Sequence, residues 1–337
     1  MATPPPSSLS LCTVLTESKH IINAHSRHFL ALSVLFLLPP SFSFAVFPTL
    51  LNLIAPSSTL NSKILLSTSI FVDQGPSNHF TINALVFSLL FSLFVFVFAP
   101  LAVGSITYSV LHGFYGRPVK LLAAIKSAFT SFLPLLVTTI FAQIIVFAMF
   151  LISGFFLFLV FMAIQLLGFQ VDISSPYFIG FSGVVSIVLL LVIVYLQLNW
   201  SLVGVLVVAE SSWGLEPLKR SSYLIKGMRG VALALLLFFG FLVCILLIIS
   251  SVSGVTLGIG TSNGWKSCAF VIQIVVTTTL LMLLLLYDVA ANTVLYMYCK
   301  AVHGELALEI VEEFAREYIS LPFDDEKVPH LVSVAYT

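Results

Sequence analysis

Charged side chains are scarce here: they make up 8% of the 337 residues, against 59% that are hydrophobic. A soluble domain carries about 25% charge, so a water-facing shell cannot be built around this much apolar surface. Mean hydropathy is +1.13, and the excess must face lipid. Net charge is also missing: formal charge is zero at pH 7, which removes the electrostatic argument for nucleic acid. Cysteine is sparse. Cys12, Cys244, Cys268 and Cys299 form no CxxC pair and no disulfide spacing. Cys299, at the inner boundary, is left as a palmitoylation candidate.

Catalytic punctuation is absent too. The chain has no GxSxG, HExxH or phosphate-binding loop. His20, His25, His28, His112 and His303 fall on one side of the topology described below, but not at a helical ligand spacing with a carboxylate nearby. Neutral interfacial histidines explain them better than a metal site, and no metal, cofactor or enzymatic activity is expected.

What the chain does have is long apolar runs. Six reach spanning length, at about 29–54, 83–111, 132–167, 178–208, 231–257 and 270–299, where roughly 20 residues suffice at 1.5 Å each. The third exceeds that length and should tilt, bend or continue along the surface. Pro39, Pro40 and Pro100 should kink the first two. The fold expected is an all-α polytopic six-helix transmembrane bundle, with a segment at 1–28 before it and a tail at 300–337 after it.

Orientation follows from where the few charges lie. Lys19, Arg27, Arg117, Lys120, Lys126, Lys219, Arg220, Lys226, Arg229, Lys300, Arg316 and Lys327 fall in alternate gaps, and only Lys63 and Lys266 lie opposite. The positive-inside rule puts the crowded side, with both termini, in the cytoplasm. The first apolar run starts too late and is too long for a secretory signal. Glu17 and the lack of an Arg-rich stretch argue against a plastid transit peptide. An endomembrane or the plasma membrane is expected rather than the plastid envelope.

Three stretches, Leu15–Leu32, Val119–Leu136 and Leu215–Leu235, are basic and partly apolar, and each precedes two runs. They predict short interfacial elbow helices, in three elbow-hairpin repeats; the alternative is that basic inner loops merely imitate a repeat. Pro118 and Pro217 suit first helical positions, and Glu216 suits the positive end of its helix. Gly254 and Gly258 could permit close helix packing.

Polar residues within the runs are the clearest functional signals, because hydrocarbon penalises them. Asp288, Asn292 and Tyr296 sit four apart on one helix face. Asn199 and Glu210 are eleven apart, about three turns, and share a face of the fourth run. Asn199 and Asp288 lie at matching depth, about 14–17 Å from the inner boundary, so a contact is expected between spans 4 and 6. It reads either as a proton- or solute-handling site or as interhelical hydrogen bonding that holds the bundle together. Gln143 and Gln165 read the same way.

After Cys299 comes a tail. Val302, Leu306, Ile310 and Phe314 recur every fourth residue, with Glu305, Glu309, Glu312, Glu313 and Glu317 on the other faces. This predicts an acidic amphipathic helix stopped by Pro322. An anionic lipid surface repels it, so it should dock on the basic inner loops or on a cytoplasmic protein partner, or pack loosely on its own bundle.

Lys219-Arg220-Ser221 with Lys226-Gly227, Tyr298-Cys299-Lys300 with His303-Gly304-Glu305, and Leu321-Pro322-Phe323-Asp324 with Lys327-Val328-Pro329-His330 carry a resemblance. Together they resemble an uncharacterised family of plant six-span integral membrane proteins over nearly the whole chain. More remotely, the membrane segments resemble the membrane domain attached to bacterial glycerophosphodiester phosphodiesterases, whose catalytic residues have no counterpart here. The resemblance implies a plant membrane protein and carries over no activity or site. The function expected is a non-enzymatic membrane component that organises or recruits partners through its loops and tail. The alternative is a transporter or lipid-handling protein using the polar site between spans 4 and 6.

Overall fold

The computed structural model describes residues 10–54, 78–117, 119–166, 175–256 and 268–307, with backbone alone for 48–54, 78–84 and 252–256. Among these residues there is helix and no strand. Six segments are long and apolar enough to cross a membrane: Ser26–Phe47, Leu85–Phe114, Leu121–Leu166, Pro176–Glu210, Arg229–Ser251 and Cys268–Val302. The chain is an all-α bundle with the architecture of a multi-pass membrane protein.

It opens with α1 (Leu11–Ala24), capped by Ser10, whose hydroxyl accepts from the Thr13 amide at 3.4 Å. Val14, Ser18, Ile21 and Ile22 form its buried stripe and press α1 onto the bundle. The helix stops at His25, and α2 (Ser26–Leu32) begins the first span. A π-helical turn, Ser33–Leu37, then leads into α3 (Leu38–Ile54). Pro39 and Pro40 lack the amide hydrogens that would bond the carbonyls of Leu35 and Phe36, and the widened turn lies where that ladder fails.

Helix α4 (Asn78–Phe114) runs through Pro100 without interruption. It approaches two neighbours at glycines. A Cβ on Gly113 would lie 2.9 Å from Ile21 Cγ2 of α1, and one on Gly104 would lie 3.1 Å from the Ala128 Cα of α5. Small residues bring membrane helices this close.

Helix α5 (Leu121–Leu166) contains 46 residues, about 69 Å of rise against a hydrocarbon core of about 30 Å. The excess belongs to its first half. Thr138 accepts the Gly214 amide at 3.1 Å, and Phe141 lies beside Gly214. Gly214 sits in the loop after the fourth span, so α5 stays at that end of the bundle to about residue 141. The stretch predicted as an elbow is therefore continuous with the third span rather than separate from it. Its buried residues, Ala124, Ala128, Leu135 and Thr138, stop there. Gln143 and Gln165 lie on the exposed surface.

The fourth span is broken. Helix α6 (Pro176–Asn199) ends, a turn covers 200–202, and α7 (Val203–Glu210) resumes. The amphipathic α8 (Glu216–Leu224) follows, with Pro217 in its first turn and Leu218, Ser221 and Leu224 buried. A 3-10 turn, Ile225–Gly227, leads to α9 (Arg229–Thr256), and α10 (Cys268–Val302) closes the described bundle.

Helix α10 is the axis. Its C-terminal part, from Ala290 to Lys300, is almost wholly buried among α1, α3, α4, α7 and α9. The core is concentrated at the end where α1, α8 and the start of α5 gather, around Phe29, Ile106, Leu206, Ile225 and Leu295. We call this the basic end. By contrast α6 and the far half of α5 are apolar and largely exposed, as helices facing lipid are.

Candidate functional site

The polar residues named from sequence do not form one site. Asn292 donates to the Asp288 carboxylate at 3.1 Å and to its backbone carbonyl at 3.0 Å, so that pair closes within one turn of α10. Asn199 donates to the Tyr195 carbonyl at 2.9 Å within α6. Its own carbonyl, freed by the helix break, accepts the Ser221 hydroxyl of α8 at 2.6 Å. Among the described residues no hydrogen bond joins Asn199 to Asp288. The break at 200–202 also cancels the eleven-residue phase that aligns Asn199 with Glu210 on an unbroken helix. Asn199 is 6% exposed, and its Oδ1 finds no hydrogen-bond partner among the described residues.

Tyr296 leads elsewhere. It is 1% exposed on α10, and its hydroxyl donates to Glu210 Oε1 at 3.1 Å. Glu210 is the last residue of α7, and its other oxygen lies 3.5 Å from Arg220 Nε on α8. Arg220 Nη2 in turn donates to Glu305, the first acidic residue of the tail. One guanidinium thus ties the end of the fourth span to the elbow helix and to the chain leaving the sixth.

Local chemistry prepares this arrangement. Gly304 has φ +75, the left-handed conformation that ends helices and that a Cβ disfavours. Its amide bonds the Ala301 carbonyl at 3.1 Å, while the His303 ring bonds the Cys299 carbonyl at 2.8 Å. The chain therefore turns back at Gly304, bringing Glu305 over α8. Aromatic rings carry the surrounding cations. Lys300 Nζ stands 5.5 Å from the Tyr296 centroid. Tyr223 has Arg220 and Lys226 each 6.0 Å from its centroid and the His303 ring at 5.2 Å. Burial alone would lower the Arg220 pKa, but hydrogen bonds and charge from Glu305 and Glu210 outweigh it, and the net shift is upward.

The cluster holds ions together; it does not present a reactive group. Both glutamates are engaged by Arg220, and among the described residues no set of three His, Cys, Asp or Glu could hold a metal. Cys299 is 0% exposed, which closes it to the palmitoylation considered from sequence. Glu309, Glu312, Glu313, Phe314 and Glu317 of the predicted docking tail lie outside the described residues, as does Gly258.

A family model described as a domain of unknown function, DUF8558, matches residues 7–328. The chain belongs to that family. No curated protein and no solved structure matches it. The DUF8558 match takes in the spans, the elbows and the Arg220 cluster together.

The sequence offered a signal for the cluster that spacing did not resolve. Glu210 is an acid in the final turn of an apolar run, where an ion needs a partner. Which of the basic residues supplies it depends on how α8 folds back, and the partners are 86 and 85 positions apart for Tyr296–Glu210 and Arg220–Glu305.

Proposed function

We propose that this DUF8558 chain is a non-enzymatic membrane component that presents its C-terminal tail to a protein partner from a rigid inner end. The observation that carries the reading is Arg220, which bridges Glu210 of the fourth span and Glu305 of the tail. A clamp of this kind sets the position and direction of whatever follows Glu305. Positive-inside charge bias supports a cytoplasmic basic end, where the partner would be met. The solute- or lipid-handling alternative at Asn199 and Asp288 has less support, because each bonds within its own helix.

The test compares the full chain with one ending at Glu305, both gently extracted from their native membrane. A stoichiometric protein partner retained by the full chain, and lost from the shortened chain and from Arg220→Met, is the expected result. A partner that survives both changes, or solute transport by the purified protein alone, would sink the reading.

A further inference from the structure

The bundle has a lateral cleft that the ion cluster does not use. It has a volume of about 370 Å³ and lies between α3, α4, α5 and α7, lined by Phe44, Phe91, Phe96, Pro100, Leu135 and Gly204 among others. A second cleft of about 260 Å³ lies beside it between α3 and α4, and Phe91 lines both. Phe91 stacks on Phe47 at 4.2 Å and meets Phe44 edge-on at 5.3 Å. Phe87, at the upper end, and Val103, at the lower, are both on α4. The first cleft alone, from Phe91 to Val103, follows that helix for about 18 Å, more than half of one hydrocarbon core.

Three features make this a slot and not loose packing. Pro100 has no amide hydrogen, so the α4 ladder is incomplete at a residue that lines the cleft. Gly204 keeps the floor open, since its absent Cβ would stand 3.0 Å from Val103 Cγ1. The Thr139 hydroxyl, which faces the slot, is already spent on the Leu135 carbonyl at 2.8 Å. Apart from the Ser92 hydroxyl at the exposed rim, the walls thus offer rings and methyl groups, and water needs two to four polar partners to occupy a cavity.

The first cleft reaches the exposed surface at Ser92 and Ala99 and the second at the exposed Phe42, Leu90 and Phe94, so what reaches their mouths in a bilayer is hydrocarbon. We infer that the slot between α3, α4, α5 and α7 binds one acyl chain of a membrane lipid. The end of the cleft at Thr139 lies toward the basic end, because Thr139 adjoins Thr138, which bonds Gly214 of the basic-end loop. Lipid tails gain nothing hydrophobic by leaving other tails. Retention comes from dispersion contacts with fixed rings and from filling a void that otherwise has no partner atoms. The site is separate from the Arg220 cluster and independent of the tail-presenting role.

The experiment places the full chain in phosphatidylcholine nanodiscs containing a lipid with a diazirine on one acyl chain, then maps adducts by mass spectrometry. Adducts should concentrate on residues 91–103 and 135–139, about tenfold above those on the equally apolar and exposed Leu190 and Leu191 of α6. Ser92→Trp, at the rim, should remove that excess while the melting temperature is kept. If Ser92→Trp does not fold, Ala99→Phe blocks the mouth instead. Slot labelling no higher than that of α6 would overturn the proposal, as it would if a segment of this chain fills the slot. Labelling indifferent to both substitutions would overturn it too.

Discussion

At the residue scale the decisive group is Arg220. Its side chain is 31% exposed, against 25% for Glu210 and 26% for Glu305, so neither pair is a fully solvated surface bridge nor a dry interior one. Exposed pairs contribute about 0–1 kcal/mol and buried ones cost several when one partner is removed. Arg220→Met should therefore destabilise the full chain by about 1–2 kcal/mol, read as a lower melting temperature in mild detergent. Arg220→Lys should recover only part, because an ammonium cannot reach two carboxylates with a planar fork. A raised folded-state pKa gives stability that is complete below the unfolded value and is lost only as pH rises through the folded one. Arg220's own titration should thus leave stability flat from neutral pH to about pH 10. A melting temperature that fell in that window in wild type but not in Arg220→Met would contradict this.

At the element scale, the crossings of α4 are set by what glycine omits. Gly104 lies against backbone, with a would-be Cβ 3.1 Å from the Ala128 Cα, and backbone gives way less readily than a side-chain end. Gly104→Val should force α4 and α5 apart and cost about 1–3 kcal/mol. Gly240, in α9, has nothing within 4 Å of its Cβ position. Gly240→Ala should be neutral or stabilise by up to about 1 kcal/mol through helix propensity. Melting curves of the two variants separate close packing from propensity; equal effects would show that the α4–α5 contact is not tight. Gly304→Val tests a turn in place of a packing contact. It should cost about 1–2 kcal/mol, because a β-branched residue resists a left-handed φ, and it should weaken the Arg220–Glu305 pair with it.

At the scale of the whole molecule the outstanding quantity is orientation, and the cysteines report it. Cys12 and Cys268 are exposed near opposite ends, Cys244 is exposed on the apolar face of α9, and Cys299 is buried. In sealed membranes an impermeant maleimide should label Cys268 from outside the cytosol and Cys12 only from within. Cys299 should stay unlabelled until the protein is denatured. The opposite pattern for Cys12 and Cys268 would reverse the topology.

The six spans, the elbow at α1 and the elbow at α8 were legible in the chain, because each depends on local properties. Run length against bilayer thickness, a Ser cap, a Pro at a first turn and an apolar stripe all act within a few residues. Other features were decided only by the assembled bundle. The α5 elbow runs into its span because Gly214, from another loop, holds Thr138 at the basic end. The fourth span breaks at 200–202 where Ser221 of α8 satisfies the freed Asn199 carbonyl. Depth matching set Asn199 opposite Asp288, yet depth says nothing of rotation about a helix axis, and each closed on its own helix. Glu210, Arg220, Tyr296 and Glu305 were each visible as polar residues at run ends, but long-range ion pairs have no period to read. Hydrophobicity alone determines that six helices are long and apolar enough to cross a membrane, since that is a one-dimensional match of length to thickness. Which polar groups meet, and where a slot stays open between helices, depends on helix rotation and close approach, which only three-dimensional packing settles.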